Sequence, residues 1–221
     1  MTPERFQTLR RVLSHRQADL TVLMDNVHKP HNVSAVLRTC DAVGVLEAHA
    51  VWPNPRLRPL GSTSSGAGKW VRVHTHPDTA TAVNALRQRG FQIVTANHTP
   101  DAMDYREVNY TRASALVLGA ELQGVSGDAI ALTDVEVVIP MQGMVESLNV
   151  SVAAAIILFE AQRQRLARGL YQRCTLDAAT YRRTLFEWAH PEVARYCVRH
   201  GLEYPALDED GEIAEEFRPP V

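Results

Sequence analysis

The run VEVVIPMQGMVESLNVSVAAAIILFE, Val135–Glu160, decides the fold. It opens with a stretch dense in β-branched residues, VEVVIP (135–140), which reads as a strand closed by Pro140. MQGMVE (141–146) then forms a loop around Gly143, and the spacing predicts a long helix from about Ser147 to Ala167 with Ser147 as its cap. A strand delivering a loop into a helix is one unit of an alternating pattern, and the pattern continues upstream. Strands are predicted at 20–25, 47–53, 71–76, 91–97 and 114–121. Helices are predicted at 3–16, from Asn32 to about Val43, and at 78–89. Residues 54–70 and 98–113 read as loops, and two further helices follow near 175–189 and 191–200. Such alternation implies an α/β domain with a mainly parallel sheet. Parallel sheets bind ligands beyond the C-terminal ends of their strands, so the loops after 97, 118 and 140 are the first places to look for a site.

Composition bounds the function. With 221 residues and 45% hydrophobic content, the chain buries an ordinary core without staples. The longest apolar run, Val152–Phe159, has eight residues, too few to span a membrane. The charged N-terminus lacks the apolar core of a secretory signal. Three cysteines, Cys40, Cys174 and Cys197, are read as reduced thiols of a cytoplasmic protein. The net charge of −2 conceals an asymmetry. Residues 200–221 carry seven acids against Arg218 alone, whereas 161–199 carry eight arginines against three acids and 1–20 carry four arginines against two acids. Only Lys29 and Lys69 are lysines. Arginine forms bidentate phosphate contacts and stacks on bases, so the two basic arms suit RNA; a solvated helix face gives the same charge pattern.

Several motifs fail. GSTSSGAGKW (61–70) lacks the first glycine of a phosphate-binding loop and has Trp70 where Ser or Thr is required. No G-x-G-x-x-G follows the first strand. The pairs His28/His31 and His74/His76 have no further ligands nearby, so no metal site is expected. Three segments remain. In Asn32–Cys40, Val33, Val36, Leu37 and Cys40 form a buried stripe while Arg38 projects from another face; Asn32 as a cap and an Arg38–Asp41 pair is the plainer reading. In Leu116–Gly124, an apolar strand delivers Gly119 and Glu121 to its end, where glycine admits a close approach to the backbone. In Ile139–Ser151, Ser147 opens a helix whose N-terminus favours an anion, or simply caps it with Asn149 in the first turn.

Taken together, the segments N-x-x-x-x-x-R (Asn32, Arg38), G-x-E-x-x-G (Gly119, Glu121, Gly124) and IPM…SLNVSVA (Ile139–Ala153) resemble those of the SPOUT methyltransferases of the TrmH type, RNA ribose 2′-O-methyltransferases. The resemblance runs through VHKPHNVSAVLRTCDAVGV and into GLEYPALDEDGEI, almost the whole chain. It implies a parallel α/β sheet with a C-terminal trefoil knot, a rare exception to unknotted topology, flanked by helical N- and C-terminal arms. The organisation it implies is an arm at 1–17, a knotted methyltransferase domain at 18–160, and a helical extension with an acidic tail at 161–221. S-adenosylmethionine (AdoMet) would be held near Ala96, Gly119, Ile139, Met141, Gly143 and Leu148. Arg38 would be catalytic, supported by Asn32, Glu121, Ser147 and Asn149. Arg10, Arg11, Lys69, Arg163, Arg165, Arg168 and Arg173 would contact RNA, Lys69 from the loop Ser65–Trp70. A homodimer is implied, with Val152, Ile156, Ile157 and Phe159 partly buried between subunits, and no metal or membrane. The implied reaction is methylation of the ribose 2′-hydroxyl of guanosine 18 in the tRNA D-loop. Alternatives are the same chemistry on ribosomal RNA or the tRNA wobble position, and a non-catalytic RNA-binding protein.

Overall fold

The structure, a computed structural model, describes residues 1–52, 67–121 and 123–214. Most of the loop at 54–70, including Ser65, lies outside the described residues, as do Leu122 and the acidic Glu215 and Glu216. The chain divides into two units, Gln17–Leu170 and a terminal unit of Met1–Arg16 with Tyr171–Val221.

Within the larger unit the described residues form one sheet of seven strands. They are β1 (Leu20–Asp25), β2 (Glu47–Val51), β3 (Arg72–His76), β4 (Gln92–Ala96), β5 (Met103–Asp104), β6 (Ser114–Leu118) and β7 (Val135–Val138). The order is β3-β2-β1-β6-β4-β7-β5, and every pairing is parallel. The α/β parallel architecture expected from the sequence is therefore present. β1 and β6 are buried along their whole length because both faces are covered. Leu20, Val22 and Met24 enter the core shared with α2 (Pro30–Ala42) and α5 (Val150–Ala167). Leu23 enters the core beneath α3 (Thr79–Gln88) and α4 (Gly127–Ala131). The strand period of two thus splits one apolar run between two cores.

Two helix starts in this unit, those of α2 and α5, differ from expectation. The second helix begins at Pro30 rather than after Asn32, because proline is preset for the first helical position. Lys29 occupies the cap position without a side-chain cap bond, which leaves the Asn32 side chain for another task. The long helix begins at Val150, capped by Asn149 rather than Ser147: the Asn149 carboxamide oxygen accepts from the Ser151 N–H at 2.9 Å. β5 and α4 carry no sequence signal, being too short to show a period.

In the terminal unit, α1 (Pro3–Ser14) packs on α6 (Ala178–Ala189) and α7 (Pro191–His200) follows. Phe6, Leu9 and Leu13 recur at helical spacing and are buried, as are Leu185 and Phe186. The Phe186 and Tyr204 rings stack with centroids 4.7 Å apart. Asp177 caps α6 by accepting from the Ala179 and Thr180 N–H groups, so this helix starts three residues later than 175.

Candidate active site

In the parallel sheet, β6 lies between β1 and β4, so connections diverge to either side of it. The C-terminal ends of β4, β6 and β7 converge at this switch point around a cavity of about 250 Å³. Ala96 and Asn97, Leu118 to Glu121, Val137 to Ile139, and Met141 form most of its wall. Glu146 to Leu148 and the first two turns of α5 close it. These are the three loops singled out from the strand ends. Ala96, Gly119, Ile139, Met141 and Leu148 line the cavity together; Gly143 is exposed and does not.

Gly119 has a different role from the one its position suggests. A Cβ there would lie 2.2 Å from the carbonyl carbon and oxygen of Gly124. The backbone it admits is the chain's own. The Ala120 N–H donates to the Gly124 carbonyl at 2.9 Å and the Gly124 N–H to the Ala120 carbonyl at 2.8 Å. Gly124 itself sits at φ +67°, where a side chain is strained. This tight reversal presents Glu121 at the rim.

Glu121 then gathers residues from three parts of the sequence. Its Oε1 accepts from Asn32 Nδ2 at 2.7 Å and from Asn149 Nδ2 at 2.9 Å. Asn149 Nδ2 also donates to Asn32 Oδ1 at 3.2 Å, while Oδ1 of Asn149 caps α5. The other carboxylate oxygen, Oε2, is paired with Lys29. Asn32 is 2% exposed, so its amide is a fixed part of the wall rather than a surface group. Ser147 lines the cavity but caps nothing. Arg38 is exposed on α2, six residues beyond Asn32, and is not among the residues lining the cavity.

Two residues here escaped the sequence reading. Lys29 had a weak signal: it is one of only two lysines and directly precedes Pro30. Asp25 ends the apolar β1 and is fully buried. Its carboxylate accepts from Thr79 Oγ1 at 2.7 Å, Asn26 Nδ2 at 2.9 Å and the Ser126 N–H at 2.7 Å. It thereby ties the end of β1 to the starts of α3 and α4. An acid at the end of a buried strand was the available clue.

The arginines expected to face RNA divide. Arg10, Arg11, Arg168 and Arg173 are exposed, as is Lys69, whose Nζ lies 5.6 Å from the Trp70 ring centroid. Arg163 is exposed and paired with Glu160 at 2.7 Å. Arg165 corrects the expectation: its side chain is 0% exposed. Its guanidinium donates to the carbonyls of Asp19, Tyr110 and Arg112, to Gln17 Oε1, and to Asp19 Oδ1 at 2.6 Å. It joins α5 to the segments entering β1 and β6, and no donor is left for a phosphate. Carbonyls gathered where the chain enters the central strands β1 and β6 suit the one side chain with five donors in a planar fork.

Residues 19–159 match the model of the SpoU rRNA Methylase family, and 163–216 match that of the SpoU rRNA methylase C-terminal region. The chain is 48% identical over 215 residues to the tRNA (guanosine(18)-2′-O)-methyltransferase of Escherichia coli K12, covering 96% of this chain and 94% of that one. It superposes on the A. aeolicus TrmH/SpoU tRNA modifying enzyme with a TM-score of 0.77 at 42% identity, over 86% of this chain and 97% of that one. A SpoU methyltransferase from Streptomyces viridochromogenes, solved in complex with the cofactor AdoMet, matches with a TM-score of 0.61 at 28% identity, over 68% and 62% of the two chains.

Proposed function

From the premise that this chain belongs to the SpoU methylase family, we propose that it methylates the ribose 2′-hydroxyl of guanosine 18 in the D-loop of tRNA, with AdoMet as methyl donor. The observation that carries this reading is the junction of Asn32, Glu121 and Asn149 on the rim of the cavity at the ends of β4, β6 and β7. The relative named for this tRNA position spans nearly the whole chain, both units included.

The wall suits AdoMet. Leu118, Val137, Ile139, Leu148 and Ile157 offer apolar surface to an adenine ring, and the Glu146 carboxylate offers negative charge to an ammonium. When bound, AdoMet supplies an electrophilic methyl group. The chain's part is to orient the ribose and handle its proton. Asn32 and Asn149, fixed through Glu121, present rigid amide groups at the rim. Arg38 brings a guanidinium, a poor general base but a strong planar hydrogen-bond donor. In our reading it stabilises the developing alkoxide and holds the adjacent phosphate; transient proton loss assisted by that phosphate is the alternative.

The site is completed by a second copy of the chain. α5 exposes Val152, Phe159 and Leu166 at seven-residue spacing, and Met144 and Val145 are exposed in the preceding loop. An apolar stripe of this kind suits burial between copies. Val152 and Phe159 belong to that stripe, whereas Ile157 is already buried within its own chain. A homodimer would let Arg38 of one copy serve the cavity of the other. No helix among the described residues is long and apolar enough to cross a membrane, and none of their acid, His and Cys groups is arranged to hold a metal. We place the activity in the cytoplasm, with its tRNA substrate. The exposed Arg10, Arg11, Lys69, Arg163, Arg168 and Arg173 serve the RNA backbone. The strand order, with β7 beyond β4 and α5 returning to α2, is compatible with a trefoil knot.

Nucleoside mass spectrometry tests the reading. An unmodified tRNA transcript incubated with protein and AdoMet gains 2′-O-methylguanosine at position 18, and Arg38→Ala abolishes the gain. AdoMet binding without tRNA methylation would move the substrate to another RNA, and absence of AdoMet binding would refute the enzyme reading.

A further inference from the structure

Lys29 lies just before the Asn32–Arg38 motif rather than within it, yet it closes the polar junction of the site. Glu121 has two oxygens with separate duties. Oε1 takes the amide protons of Asn32 and Asn149, at 2.7 and 2.9 Å, and Oε2 takes the Lys29 ammonium. Two neutral amides orient a carboxylate but leave its charge uncompensated. Among the described side chains, Lys29 is the cation paired with it.

The placement of Lys29 is set by the backbone. It occupies the cap position of α2 and is followed by Pro30, which fixes the direction from which the helix departs. Asn32 follows within the first turn, so cation and amide reach the same carboxylate from one helix start. The Lys29 side chain is 45% exposed and Glu121 24%, a partly screened position. The two residues also line a small recess of about 70 Å³, with Val27, His28, Asn32, Ala120 and Gln123, that shares Ala120 and Glu121 with the main cavity.

We propose that Lys29 is a positioning residue for methyl transfer, acting through Glu121. It holds the carboxylate in the orientation that lets Oε1 engage both asparagines. It also cancels a negative charge that would oppose the alkoxide developing on the attacking ribose. The inference rests on the reading of this junction as the methyl-transfer site. A rival role is direct contact between the ammonium and an RNA phosphate, and the two differ in what they predict.

The test is a double-mutant cycle in the full-length protein with Lys29→Met, Glu121→Gln and the pair, and with Lys29→Arg as a conservative rescue. Single-turnover methyl transfer to an unmodified tRNA transcript is measured alongside AdoMet affinity and tRNA affinity over a salt series. Unfolding midpoints confirm that each variant is folded. Lys29→Met should slow the single-turnover rate by about 10- to 100-fold, the cost of misplacing a group by about 1 Å. It should leave the AdoMet and tRNA dissociation constants within about twofold and the salt slope unchanged. Lys29→Arg should recover most of the rate, and the double variant should be no slower than the slower single variant. Multiplicative losses in the double variant, with a tRNA salt slope shallower by about 0.9, would overturn the proposal in favour of a phosphate contact. A wild-type rate in Lys29→Met would overturn it outright. A wild-type rate in Glu121→Gln, or no tRNA methylation by the unaltered protein, would instead refute the reading of the site beneath it.

Discussion

Replacing Arg165 with Met removes a buried cation while keeping a side chain of similar length. The guanidinium donates to three backbone carbonyls, those of Asp19, Tyr110 and Arg112, and to Gln17 Oε1 and Asp19 Oδ1. The Asp19 side chain is 45% exposed and rehydrates when its partner is lost, so it contributes little to the cost. The Asp19 carbonyl keeps the Ser114 N–H at 2.9 Å and the Arg112 carbonyl keeps the Ser114 hydroxyl at 2.8 Å, whereas the Tyr110 carbonyl loses its donor. A buried acceptor left without a partner costs about 1 to 3 kcal/mol. For a chain of this size a loss of about 2 kcal/mol lowers Tm by about 4 to 8 °C. Urea and thermal unfolding followed by circular dichroism read the loss, with tRNA affinity measured in parallel over a salt series. The salt slope should stay at the wild-type value, because Arg165 meets no phosphate. The conservative Arg165→Lys change should recover little, since one ammonium cannot span five acceptors. An unchanged unfolding midpoint with a slope shallower by about 0.9 would refute this reasoning and make Arg165 an RNA contact after all.

Other consequences follow from single groups. His49 is buried beside His74, His76, Glu47 and Arg89, and burial pushes its pKa from the usual 6.5 down to about 4. The folded state therefore favours the neutral ring: its contribution is complete above pH 6.5 and declines as pH falls toward 4. By pH 4.5 the loss attributable to His49 reaches about 2 to 3 kcal/mol, so His49→Gln should flatten the acid limb of a stability–pH curve, and an unaltered limb would exclude the effect. Gly119→Ala drives a Cβ into the Gly124 carbonyl and should weaken AdoMet binding at least tenfold by calorimetry, unless the reversal at 120–124 shifts without cost. Asn149→Ala removes the cap of α5 and one donor to Glu121. It should cost about 1 kcal/mol of stability, and lower the methylation rate by more than that loss alone accounts for.

The legible part of the sequence was the part in which one residue's environment is set by its neighbours along the chain. Strands such as LTVLMD and SALVL announce themselves because both their faces are apolar. Their ends mark the loops that form the cavity. Asn32, Glu121 and Asn149 could be named because each falls in a segment that resembles a family motif. Their mutual contacts could not be derived from spacing, since they are separated by up to 117 positions. Arg165 was misread for the same reason. Among charged neighbours on the last turns of α5 it looks like a surface residue, and only the carbonyls brought in from before β1 and β6 make it internal. Asn32 looked like a cap because asparagine is a good one; its engagement with a distant carboxylate left the helix to start at Pro30. Lys29 carried only a weak signal, and its pairing becomes visible only where Glu121 meets it.

The terminal unit draws on both ends of the polypeptide, with α1 packing against α6. On the ribosome these partners emerge far apart in time. At about 5 to 20 residues per second, the interval between the exit of α1 and that of α6 is about 10 to 30 s. Throughout that interval Phe6, Leu9 and Leu13 lack the surface that later buries them. The sheet has its own delay, because β1 cannot pair with β6 until residue 118 has been made. The nascent chain therefore presents an uncovered apolar helix until α6 has emerged, which marks α1 as a natural landing place for a ribosome-associated chaperone.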